Sequence, residues 1–96
     1  MPKHELVGFE MSTSGRDDGT VEAVYIQFST DPVHRTKEIH EDTVLADYSA
    51  DGKLVGIEII APIRFAELEK LIDEQPKREP IRRFIQRSAP RDLVLA

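Results

Sequence analysis

The 96 residues hold 13 Lys and Arg against 18 Asp and Glu, a net charge of −5, with 40% hydrophobic side chains, 32% charged ones and no cysteine. That composition supports one domain with a modest core, and it excludes wholesale disorder, a disulfide framework and a thiolate metal site. No apolar run approaches the roughly 20 residues of a membrane helix, and MPKHELVGFEM has no apolar signal-peptide core, so a cytoplasmic protein is expected.

The first predicted element is a strand over HELVGFEM, with Val7, Phe9 and Met11 on one side. STSGRDDG follows as a turn, because Ser, Gly and Asp favour irregular backbone. TVEAVYIQFST is the strongest strand signal, with Val24, Ile26 and Phe28 sharing a face, and Asp31–Pro32 stops it. RTKEIH reads as a polar edge strand.

VLADYSADGKLVGIEII, residues 44–60, reads as a hairpin whose tip carries the turn signal Asp51–Gly52. A two-residue loop pairs Ser49 with Leu54, Tyr48 with Val55 and Ala46 with Ile57. Val44, Ala46, Tyr48, Val55, Ile57 and Ile59 then form a continuous apolar core face. A three-residue loop would mix the two faces and is not expected. Leu45, Asp47, Ser49, Leu54, Gly56, Glu58 and Ile60 fall on the opposite face, with the two acids diagonal to each other. Leu45, Leu54 and Ile60 make that face too apolar to be left bare, and with Asp47 and Glu58 they are the candidate interface.

APIRFAELEKLIDEQ then spaces Ile63, Ala66, Leu68, Leu71 and Ile72 as one side of a helix, begun at Pro62 and ended before Pro76. EPIRRFIQRSA predicts a second short helix with Ile81, Phe84 and Ile85 as its stripe, closed by Pro90, and RDLVLA is an apolar tail. There is no internal repeat or linker. The expected fold is α+β: a single domain with an antiparallel meander of four to five strands (1–61), two C-terminal helices packed on the sheet (62–89), and a tail (90–96).

Charge divides along the chain, with a balance of −9 over residues 1–76 and +4 over 77–96. Lys77, Arg78, Arg82, Arg83, Arg87 and Arg91 form a candidate basic patch that on a helix could grip phosphates. The acidic body argues against that, and the favoured reading is that these arginines either stay solvated or pair with acids such as Asp47 or Glu58, in cis or across a dimer. Two carboxylates on a flat sheet are too few for a calcium or magnesium site, and His4, His34 and His40 lack metal-ligand spacing. No nucleophile motif or phosphate loop is present, so neither a catalytic site nor a cofactor is expected.

The strings VYIQFS and ADYSADGKLVGIEI, with Asp47 and Glu58 in place, resemble a family of small bacterial and archaeal proteins catalogued as domain of unknown function 2283, over residues of about 20–61. The chain departs from that pattern in its longer first turn, FEMSTSGRDDGTVEA, and in the helical part after Pro62. The resemblance implies a small fold without an established activity. It also implies an antitoxin-like role, since some members resemble partners encoded beside small RelE-like toxins. The expectation is therefore a non-catalytic protein-binding module, a homodimer or the partner of another small protein. Nucleic-acid binding through the basic helix and a carboxylate-based enzyme or metal binder are the alternatives.

Overall fold

A computed structural model describes residues 9–75 and 77–96. Five antiparallel strands form one sheet: β1 (Glu10–Gly15), β2 (Val21–Gln27), β3 (Arg35–His40), β4 (Val44–Tyr48) and β5 (Leu54–Ile59). Their order across the sheet is β1-β2-β5-β4-β3. A short strand β6 (Ile63–Arg64), two helices, α1 (Phe65–Ile72) and α2 (Arg78–Ser88), and a last strand β7 (Val94–Leu95) complete the chain. The class is α+β, as the run of strands before helices implies.

The core follows the period-2 alternation. Val24, Ile26, Val44, Ala46, Ile57 and Ile59 project from one sheet face into a cluster with Leu68, Leu71 and Ile72 of α1, Ile81 and Ile85 of α2, and Leu93 of the tail. Both helices therefore cover the same face and leave the other without a helix. Ile63 is buried in β6 rather than in a helix, and Ala66 is exposed. The tail does not float: β7 pairs in parallel with β6, and Leu93 is buried. Arg82 ties α2 to α1, with Nη2 2.6 Å from Asp73, Nε 3.1 Å from Glu69 and Nη1 2.5 Å from Glu79.

Two corrections to the sequence reading concern turns. The first strand, as described from Glu10 onward, runs past its expected end. Its portion over residues 4–8 falls outside the described residues, while Ser12–Gly15, expected in a turn, extends β1 because β2 supplies a ladder of partners for it. The second correction is the hairpin tip, which has the three-residue loop that looked incompatible with two clean faces. Ser49 N–H donates to Lys53 O at 2.9 Å and Gly52 N–H to Ser49 O at 3.0 Å, with Gly52 in the left-handed region at φ +84°. One register shift then restores the expected pairing. Tyr48 lies opposite Leu54, Asp47 opposite Gly56 and Ala46 opposite Ile57, so Val55 is the extra residue of a β-bulge.

The β1–β2 hairpin repeats the device. Arg16 N–H bonds Thr20 O at 2.8 Å, Gly19 N–H bonds Arg16 O at 2.9 Å, Gly19 has φ +88°, and a register shift follows within β2. Aligning Gly19 with Gly52 along the sequence sets β1 against β4 and β2 against β5, and it matches the cross-strand partners Tyr25 and Glu58 to each other. RDDGT and SADGK are thus one hairpin motif used twice, where the sequence shows no repeat.

Candidate functional site

The helix-free face is centred on a line of four residues, one from each of four neighbouring strands. Tyr25 of β2 lies opposite Glu58, Gly56 of β5 opposite Asp47, and Asp47 of β4 opposite Thr36 of β3. Tyr25 reaches across β5 to donate its hydroxyl to Asp47 Oδ2 at 2.9 Å, and Thr36 Oγ1 donates to Asp47 Oδ1 at 2.6 Å. The crossing requires Gly56. A Cβ there would overlap the Tyr25 hydroxyl, lie 2.5 Å from its Cζ and 3.0 Å from the backbone oxygen of Ile26. Glycine in a strand interior is otherwise unfavourable, and here it admits a close approach.

Asp47 is half-buried but not orphaned, since both of its oxygens accept hydroxyl hydrogen bonds. Tyr25 bears the electrostatic consequence, with its pKa pushed up to about 12. Burial is the first cause, followed by the bond to Asp47 and repulsion of a phenolate by Asp47 and Glu58. Burial also raises the Tyr48 pKa, with Glu74 adding to it. A folded-state pKa above the unfolded value of 10.0 means that Tyr25 stabilises the fold fully below pH 10 and ceases to do so as pH rises through about 12. An ultraviolet titration of phenolate should accordingly place the Tyr25 step near pH 12 and not at pH 10 while the protein is folded. Tyr25→Phe should remove the step nearest 12 and leave that of Tyr48. Loss of a step at pH 10, and not of one near 12, on Tyr25→Phe would contradict this geometry.

Leu45, half-buried, lies opposite Glu58 on this face, and Ile60, just past β5, is 42% exposed. Leu54 does not belong with them. The bulge at Val55 turns it to the side of Tyr48, where it is 7% exposed and part of the core under the helices. The alternation adds Glu10 and Ser12 from β1 and Glu38 from β3, so the face presents Glu10, Glu38, Asp47 and Glu58. Among the described residues it carries no Lys or Arg.

Of the two states expected of the basic patch, solvation holds for most of it, and among the described residues none of it pairs with Asp47 or Glu58 within the chain. The helices lie on the opposite sheet face, and Arg82 is spent on Glu69, Asp73 and Glu79. Lys77, Arg78, Arg83, Arg87 and Arg91 are exposed. His40 faces Glu67 of α1 at 3.3 Å and His34 is exposed, while His4 lies outside the described residues. Among the described residues no group of three or more His, Cys, Asp or Glu is placed to hold a metal, and no helix is long and apolar enough to cross a membrane.

Sequence reasoning missed Tyr25, whose signal was Gly56 standing alone among β-branched residues. No curated protein and no solved structure matches the chain. Residues 18–61, which span β2 to β5 and include Tyr25, Thr36, Asp47, Gly56 and Glu58, match the family model described as protein of unknown function (DUF2283), the family that VYIQFS and ADYSADGKLVGIEI resemble.

Proposed function

We propose that the protein is a non-catalytic protein-binding module that docks its partner on the helix-free sheet face. The observation that carries this reading is the composition of that face, where Leu45, Tyr25 and Ile60 sit among four carboxylates without a base among the described residues. The apolar groups favour being covered, and the acids select what covers them. Asp47 is poorly suited to acid–base work because hydroxyl donors engage both of its oxygens on an open sheet. The grooves between the helices and the tail, and at the Phe9–Phe28 end of the sheet, are lined by neither Asp47 nor Glu58.

A homodimer formed two-fold through this face would set the four acids against their own copies, an arrangement that like-charge repulsion opposes. A basic partner suits the face better than a second copy does. An antitoxin-like role is one form of this reading, in which the partner's basic surface is covered and thereby neutralised.

Co-expression with the products of neighbouring genes, followed by size-exclusion chromatography with light scattering, tests the proposal. The expected result is a stable complex with one of them, lost when Leu45→Lys and Ile60→Lys are combined in a chain whose circular dichroism is unchanged. A complex that survives both changes would place docking elsewhere. Nucleic-acid binding abolished by Arg83→Glu and Arg87→Glu, with a steep salt dependence and no protein complex, would favour the basic helix instead.

A further inference from the structure

We propose that the helix-free face contains an arginine-reading subsite, in which a guanidinium from the partner protein lies on the Tyr25 ring between the carboxylates of Asp47 and Glu58. The proposal rests on the docking surface argued above and names the chemistry that surface selects.

Three observations converge on it. Tyr25 is laid across β5 with its phenol end against Gly56, so the rest of its half-buried ring is a platform level with the sheet and not a projecting side chain. Its two flanking groups are acids: Glu58 is its direct cross-strand neighbour and Asp47 accepts its hydroxyl hydrogen. Among the described residues, neither acid has a basic side chain within 4.0 Å, although Glu67, Glu69, Asp73 and Glu79 of the helical layer all do. Asp47 is also oriented in advance, because Tyr25 and Thr36 each hold one of its oxygens. Each oxygen keeps a second lone pair for an incoming donor.

A flat aromatic surface between two carboxylates distinguishes arginine from lysine. Guanidinium stacks on rings and presents a planar fork of donors, whereas an ammonium is a strongly hydrated point charge that gains less from the plane. Nucleic acid is repelled by the same acids. A second copy of the chain could offer Arg83 and Arg87, which are exposed on α2. Yet α2 and the acidic face lie on opposite sides of the sheet, so that contact would run head to tail and could not close as a pair. The occupant proposed is an arginine-bearing segment of a different protein, and a second copy, which also exposes Arg16, Arg35 and Arg64, is the outcome that the test separates from it.

The test is an NMR titration of the isotope-labelled full chain with a short alanine–glutamine peptide carrying two arginines, alongside its lysine counterpart. The expected shifts centre on the Gly56, Asp47 and Glu58 amides and the Tyr25 ring, with the arginine peptide binding on the order of tenfold more tightly. Glu58→Gln leaves the Tyr25–Asp47–Thr36 bonds intact and should weaken the arginine peptide about threefold or more. Tyr25→Leu, with its fold checked by circular dichroism, should bring the arginine peptide down to the lysine one. Equal binding of the two peptides, shifts centred away from Gly56, or no effect of Glu58→Gln would overturn the subsite. Concentration-dependent growth in mass that Arg83→Glu reverses would make a second copy the occupant and overturn the commitment to another protein. A partner complex that depends on Leu45 and Ile60 but ignores Glu58→Gln and Tyr25→Leu would leave the docking surface standing and remove the arginine subsite alone.

Discussion

Gly56→Ala is expected to lower stability by about 2 kcal/mol or more and to detach Tyr25 from Asp47, although the change adds a single methyl group. In most strand positions the same substitution would stabilise by about 0.4–1 kcal/mol, because alanine has fewer unfolded conformations than glycine. Here the new Cβ would overlap the Tyr25 hydroxyl and lie 2.5 Å from Cζ, and the Ile26 carbonyl at 3.0 Å belongs to the neighbouring strand and cannot yield. The ring must leave, which removes a hydrogen bond to a half-buried carboxylate and uncovers the strand beneath. For a domain of this size, 2 kcal/mol corresponds to roughly 8–16 °C in melting temperature. Tyr25→Phe should not rescue the variant, since Cζ remains. Tyr25→Val should rescue it in part, so that Gly56→Ala costs less when Tyr25→Val is already present than alone, a coupling that a double-mutant cycle measures. If the two substitutions add without coupling, the Tyr25 ring does not lie over Gly56.

What the amino-acid pattern conveys, and what it withholds, separates cleanly at the hairpins. Alternation in residues 44–48 and 54–59 identifies Val44, Ala46, Ile57 and Ile59 as core, because a half-buried strand must repeat every second residue. The same alternation cannot reveal a loop of three residues offset by a bulge, since the two shifts cancel beyond Asp47 and leave the pattern intact below. Only Leu54 and Val55, between loop and bulge, are displaced. Periodicity in residues 65–72 and 81–85 likewise predicts the helices, whereas the pairing of β7 with β6 depends on two distant segments that no local pattern connects.

The candidate site was half legible for a related reason. Asp47, Glu58 and Gly56 lie within one hairpin, so local pairing places them together on the face away from the core. Tyr25 comes from β2, which docks on β5 out of sequential order, and the β2–β5 register that sets it beside Glu58 is a tertiary fact. For the arginines of α2 the sequence leaves two states, solvated or paired with acids of the sheet. Charge balance alone does not choose between them, whereas the layering of helices on the other sheet face gives Arg82 nearer partners on α1 and leaves Arg78, Arg83 and Arg87 exposed. It leaves the sheet acids without a basic partner among the described residues.

Leu54→Ala and Leu45→Ala should differ sharply, which makes them a direct test of the bulge. With an uninterrupted two-residue hairpin both leucines would share the helix-free face and lose similar, small amounts. With the bulge at Val55, Leu54 turns under the helices, 7% exposed and clustered with the sheet core and Ile81, while Leu45 stays half-buried beside Glu58. Removing a buried leucine side chain leaves a cavity and costs about 2–4 kcal/mol, even where the site lies near the end of the core. Truncating Leu45 removes partial burial without a cavity and should cost under about 1 kcal/mol. Urea unfolding of the two variants decides between the geometries, with m-values unchanged if both remain two-state. Equal losses would return Leu54 to the open face and remove the bulge. The result bears on the docking surface as well. If Leu54 is core, Leu54→Lys unfolds the protein and says nothing about a partner, whereas Leu45→Lys keeps the fold and alters only the face on which that partner would dock.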